Sequence, residues 1–190
     1  MGVYLHHVSY YLRGAIEDKT VDAINYITSI LSPIDGNKYY IMDPYLNVVD
    51  DIQYPIKESK VENSIWSFLI AELAMPDTAF KIITREPVDG IFEKGPHPPY
   101  SLPVSPLINN AKVDVCKYVD KKYCDTGMHD RFILRDGNEG LAGVHIGPSL
   151  ADIKDKDVSI TPYSAPTVAT ALKAFSDMWN ACITNKEWKK

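Results

Sequence analysis

Met128-His129-Asp130-Arg131-Phe132-Ile133-Leu134-Arg135-Asp136-Gly137 is the stretch whose reading decides the fold. If Arg131 to Leu134 is a strand, His129 and Arg131 share one face, because side chains alternate across an extended chain. Phe132 and Leu134 then take the other face, as a packed sheet requires. A histidine beside a guanidinium suits a phosphate. The imidazole would be a nucleophile or proton carrier, and the arginine a bidentate anion clamp. An adjacent aspartate would orient the imidazole or neutralise the cation. The plainer alternative is an ion pair of Arg131 with Asp130 or Asp136, with His129 capping a strand.

Upstream, Val21, Ile24, Ile27 and Ile30 recur three apart, with Leu31 widening the stripe, which predicts a helix from Thr20. Pro33 and Asp35-Gly36-Asn37 end it. Lys38–Met42 is a short β-prone run closed by Asp43-Pro44. A second helix is announced by the capping box Ser59-x-x-Glu62 and an apolar face of Val61, Ile65, Phe68, Leu69 and Leu73. Phe80–Thr84 follows as a strand, so this β-α-β unit predicts parallel neighbours. Residues 87–110 form a Pro-rich loop in which helix is disfavoured.

Beyond the loop, strands are expected at Lys112–Val119, Arg131–Leu134, Gly143–Ile146 and Val158–Thr161. The closing helix carries Pro166 in its first turn and an apolar face of Val168, Leu172, Phe175, Trp179 and Cys182. The pattern is α/β: a mixed sheet flanked by helices. It reads as a single domain over residues 1–190, with 1–19 an amino-terminal extension of open structure.

The chain has 190 residues, of which 45% are apolar and 24% charged, with a net charge of −5. These values suit a soluble globular domain and argue against broad, non-specific nucleic-acid binding. No apolar run is long enough to span a membrane, and no secretory signal opens the chain. Cys116, Cys124 and Cys182 lack metal-like pairing and read as reduced thiols, so a cytoplasmic protein is expected. His6, His7 and His97 have no partners at metal-ligand spacing.

His129, Arg131 and Asp136 match the His-x-Lys-x4-Asp spacing of the phospholipase D superfamily, with Arg for Lys. Gly147-Pro148-Ser149 is similar to that family's Gly-Ser element on the next strand, with one residue inserted. The family's later asparagine is Ala151 here. The order of elements from Tyr39 onward resembles one repeat of that fold. Asp43-Pro44-Tyr45 together with His-Asp-Arg-Phe resembles the phospholipase D-like domain that closes MIT-domain proteins of the ESCRT pathway. Gly147, Ser149, Leu150 and Asp152 also fit the Gly-x-Ser-Leu-x-Asp pattern of short bacterial proteins with a His-Asp-Arg-Phe motif.

The resemblance implies a phospholipase D-like mixed sheet, as a single repeat, and a phosphodiester-directed site. His129, Arg131 and Asp136 would be catalytic in a metal-independent nuclease or phosphodiesterase, with no cofactor. In the enzymes two motifs meet, so a catalytic form of this chain would be a homodimer with paired His129 side chains. In the MIT-associated domains the fold is implied to bind phosphoinositide membranes without cleavage. The alternative is therefore a non-catalytic module for a phosphate group on lipid, nucleotide or partner protein. Arginine favours holding a phosphate over donating a proton to it.

Further contacts are expected from Gly147, Ser149, Asp43, Tyr45, His145 and Arg85. Each has a plainer reading. Ser149 suits a helix N-cap, and His145 a packed core histidine. Asp43 and Tyr45 suit a turn and an interface, and Arg85 a solvated charge.

Overall fold

The computed structural model describes residues 10–11, 16–44, 46, 65–85, 100–101, 111–118, 131–147, 150 and 158–184. Their centre is an eight-stranded mixed sheet in the order β1-β8-β7-β6-β2-β3-β5-β4. Its strands are β1 (Tyr10–Tyr11), β2 (Lys38–Met42), β3 (Thr78–Arg85), β4 (Tyr100–Ser101), β5 (Ala111–Tyr118), β6 (Phe132–Gly137), β7 (Gly140–Gly147) and β8 (Ser159–Pro162). The helices are α1 (Ile16–Leu31), α2 (Ile65–Leu73) and α3 (Ala165–Thr184).

Strands β2, β3 and β5 run parallel, as the β-α-β reading requires, and β6 and β7 close antiparallel beside β2. Alternation within each strand sorts the core into two layers. Tyr39, Ile41, Phe80, Ile82, Val113, Val115, Ile133, Val144 and Ile146 pack with α1 and α2. Met42, Ile83, Cys116, Phe132 and Leu134 pack with Val168, Phe175 and Trp179 of α3 on the opposite face. The central strands β2, β3 and β6 are apolar on both sides, which explains why they read as short continuous apolar runs.

Two helix faces differ from the sequence expectation. In α1 the buried stripe is Ala23, Ile27 and Leu31, spaced four apart, while Val21 is 57% exposed. The three-apart series drifts around the helix, and the four-apart series follows the ridge that meets the sheet. In α2 Trp66, Leu69, Ile70 and Leu73 are buried and Phe68 is 43% exposed. The capping box Ser59-x-x-Glu62, the helix expected near Leu150 and most of the Pro-rich loop lie outside the described residues, although β4 falls within that loop.

Gly143 is dictated by packing. A Cβ there would lie 2.8 Å from Leu134 Cδ2 and 3.1 Å from Val168 Cγ2. Its bareness lets α3 rest directly on β6 and β7.

Cys116 is disulfide-bonded, which corrects the reading of three reduced thiols. Linear spacing does not encode the contacts that place this buried strand residue against another sulfur. The support that free thiols lent to a cytoplasmic setting goes with that reading. No helix among the described residues is long and apolar enough to cross a membrane.

Candidate functional site

Strand direction gives the sheet two unlike edges. At the amino ends of β2 and β3 the connections are short: residues 32–37, 74–77 and the 138–139 hairpin turn. At the carboxyl ends of β2, β3, β5 and β7 every connection is long, and β6 begins there with Arg131. Clefts for ligands form outside the carboxyl ends of strands in open α/β sheets, with long loops above them.

Register builds this edge. The β2–β6 ladder pairs Met42 with Phe132, so one step further Asp43 stands opposite Arg131. The Ile146 N–H donates to the Arg131 carbonyl at 2.8 Å, which fixes Arg131 in line with β6. On the other side, Met42 pairs Ile83 and the Asp43 N–H donates to the Ile83 carbonyl at 3.2 Å, bringing Thr84 beside Asp43. Thr84 pairs Lys117 of β5. Arg131, Asp43 and Thr84 thus make one row across three strands on the α1/α2 face.

The middle of the row is built in. Asp43 and Thr84 are buried, and the Thr84 hydroxyl donates to the Leu46 carbonyl at 2.8 Å. The Leu46 N–H in turn donates to the Asp43 carbonyl at 3.3 Å, so the chain folds back over the strand end immediately after β2. Arg131 is half-buried at the margin of the row. A guanidinium at a strand end beside a buried carboxylate position suits recognition of a single anion.

Several expected residues separate from this row. Asp136 lies five residues along β6 from Arg131, about 16 Å of extended strand, and it pairs Lys38 at the amino edge. Its parity sets it on the α3 face, where its charge, after burial itself, helps raise the pKa of Tyr40. The expectation that Asp136 positions the phosphate oxygens is corrected accordingly: a spacing of five residues along a strand separates two side chains instead of joining them. His145 pairs Phe132 and so also lies on the α3 face, with its ring 6.2 Å from that of Tyr163. It is on the opposite side of the sheet from Arg131, in the packed setting that was the plainer reading.

Gly147 does end at the site edge, where its carbonyl accepts a 2.6 Å bond from the Ser159 hydroxyl. Arg85 ends β3 at the same edge, in register with Tyr118. His129, Tyr45 and Ser149 lie outside the described residues.

The sequence reading missed one residue of note. Arg135 shares the face of Arg131 but sits at the other edge, where it is buried. It donates to the Leu31 carbonyl at 3.1 Å and pairs with Glu139 at 3.2 Å. Helix α1 has no basic residue in its last turn, and Arg135 supplies that charge from strand β6 beneath it.

No family model matches the chain, and no curated protein matches it. Among solved structures, the archaeal chromatin protein TrmBL2, described as showing a novel mode of DNA binding, is 10% identical with a TM-score of 0.40. The match covers 95% of this chain and 55% of that one, so the chain spans about half its length. A likeness this distant carries no argument about function.

Proposed function

We propose that this chain is a phosphodiester-directed protein of the phospholipase D-like type, with Arg131 as the anion clamp and His129 as the reacting group. The observation that supports it is the position of Arg131, directly across from buried Asp43 at the carboxyl edge of the parallel strands. That is the edge where a ligand cleft is expected, and His129 precedes Arg131 by two residues. Asp136 and His145 are left out of the reading for the reasons of register given above.

As a metal-independent phosphodiesterase or nuclease, two copies would pair. One His129 nitrogen attacks phosphorus and forms a P–N bond while the P–O bond to the leaving group breaks. The second copy's histidine gives the leaving oxygen its proton, and water then cleaves the P–N bond. Arg131 holds the non-bridging oxygens throughout. The test is hydrolysis of bis(p-nitrophenyl) phosphate in excess chelator, with wild type active and His129→Ala silent. Equal turnover by the two proteins would sink the catalytic reading.

The identity of Arg131 favours a second reading, a module that binds a phosphate group without cleaving it, because a guanidinium does not give up its proton. Binding of a phosphodiester that Arg131→Ala weakens and His129→Ala spares, without turnover, would select this reading.

A further inference from the structure

On the α1/α2 face of β2, β3 and β6, taken with the residues that continue them, three charged side chains stand among apolar and hydroxyl neighbours. Arg135 is at the amino edge and serves the end of α1. Arg131 and Asp43 are left side by side at the carboxyl edge, with opposite charges. Backbone register sets their separation. Asp43 is one step beyond Met42 and Arg131 one step before Phe132, and Met42 pairs Phe132, so the two Cα atoms lie about 5 Å apart. Both take the face of Ile41 and Ile133.

Their exposure differs. Asp43 is 0% exposed, and it is the one carboxylate so buried among the described residues, whereas Arg131 is half-buried. A ligand arriving from solvent therefore meets the guanidinium and not the carboxylate. Burying a carboxylate is costly, and asparagine would keep the same shape without a charge, so the charge itself calls for a role.

We infer that Asp43 is a specificity-determining residue of the phosphate site, and that it restricts Arg131 to singly charged phosphodiesters by disfavouring the dianionic phosphomonoester. This rests on the phosphodiester reading above and gives its selectivity a cause. The first ligand charge meets the guanidinium at contact distance, nearer than the carboxylate, and is held. A monoester above its second ionisation, near pH 6, carries a further charge. That charge feels guanidinium and carboxylate at comparable range, so attraction and repulsion cancel while its hydration is lost. With Arg131 alone the dianion would be the better ligand. At an effective dielectric of about 40 and a separation of about 6 Å, the carboxylate changes affinity roughly tenfold for each unit of ligand charge.

Methyl phenyl phosphate and phenyl phosphate share a phosphate and an aromatic ring, and differ by one methyl group and one charge. Binding of both is measured by calorimetry at pH 8, where the monoester is dianionic, on wild type and on Asp43→Asn. Wild type is expected to bind the diester at least as tightly as the monoester. Asp43→Asn should raise affinity roughly tenfold for the diester and roughly a hundredfold for the monoester, so the monoester-to-diester ratio rises roughly tenfold.

Wild type binding phenyl phosphate more tightly than methyl phenyl phosphate would overturn the proposal, as would an unchanged ratio in Asp43→Asn. If circular dichroism shows that the buried amide prevents folding, the wild-type comparison decides alone. Failure of the underlying reading looks different: neither compound binds wild type, or Arg131→Ala binds them as well as wild type does.

Discussion

Replacing Arg135 with methionine removes a buried guanidinium and keeps an unbranched apolar stem of similar reach. Four contacts are lost: the Leu31 carbonyl at 3.1 Å, the Ser32 and Gly140 carbonyls at 3.4 Å, and Glu139 at 3.2 Å. The first is a charge-assisted bond to a helix-terminal carbonyl, contributing about 1.5–3 kcal/mol, while the two longer ones are weak. The favourable placement of a cation at the carboxyl end of α1 adds up to about 2 kcal/mol in a partly buried setting. Glu139 is 55% exposed, so its pairing contributes under about 1 kcal/mol. Arg135→Met should therefore destabilise by about 3 kcal/mol, and Glu139→Gln by less than about 1 kcal/mol.

Urea unfolding followed by circular dichroism measures both. With a slope near 2 kcal/mol per molar, the midpoint of Arg135→Met falls by about 1.5 M with the slope unchanged. Two results would refute the reasoning. Arg135→Met within about 1 kcal/mol of wild type would show that the helix end does not need the charge. Glu139→Gln as damaging as Arg135→Met would show that the ion pair, and not the helix end, is what Arg135 serves.

Ser32 follows the last turn of α1 with φ of 42°, its N–H donating to the Thr28 carbonyl at 2.8 Å. Glycine adopts this left-handed conformation without the Cβ penalty, so Ser32→Gly should raise the thermal midpoint, by about 0.5–1 kcal/mol of stability in calorimetry. The alkaline limb of stability depends on Tyr40, whose pKa is raised above 10 by burial and then by the charge of Asp136. The unfolded tyrosine ionises first, so its contribution is complete below pH 10 and is lost as pH rises through the folded value. Tyr40→Phe has nothing to ionise, and its stability should fall less steeply than wild type above pH 10. Parallel limbs in a pH-jump unfolding series would contradict this.

The strands were legible because each is a compact apolar run between turn residues, and Lys38–Met42 is bounded by Asn37 and Asp43 in both sequence and structure. Helix existence was equally clear, but helix facing was not. Val21 and Phe68 are apolar and exposed because a helix shows the sheet only one ridge, and periodicity alone does not say which. Parity on β6 correctly separated Phe132 and Leu134 from Ile133, yet the spacing of Arg131 and Asp136 was read as proximity when a strand turns it into distance. Arg135 went unread because its meaning comes from a helix far away in sequence, through register that no local pattern contains.

The central place of β6 has a consequence for how the chain is made. It is inserted between β2 and β7, and Arg135 meets Leu31 across 104 residues. Until residue 137 has left the ribosome, the parallel β2–β3–β5 unit has an open edge along β2, whose backbone donors and acceptors await a strand. Such late, non-local pairing slows folding and exposes the nascent chain to pairing with the wrong strand. A protein cut before β6 should accordingly be captured by strand-edge association, while one cut after Thr184 keeps every partner of that ladder.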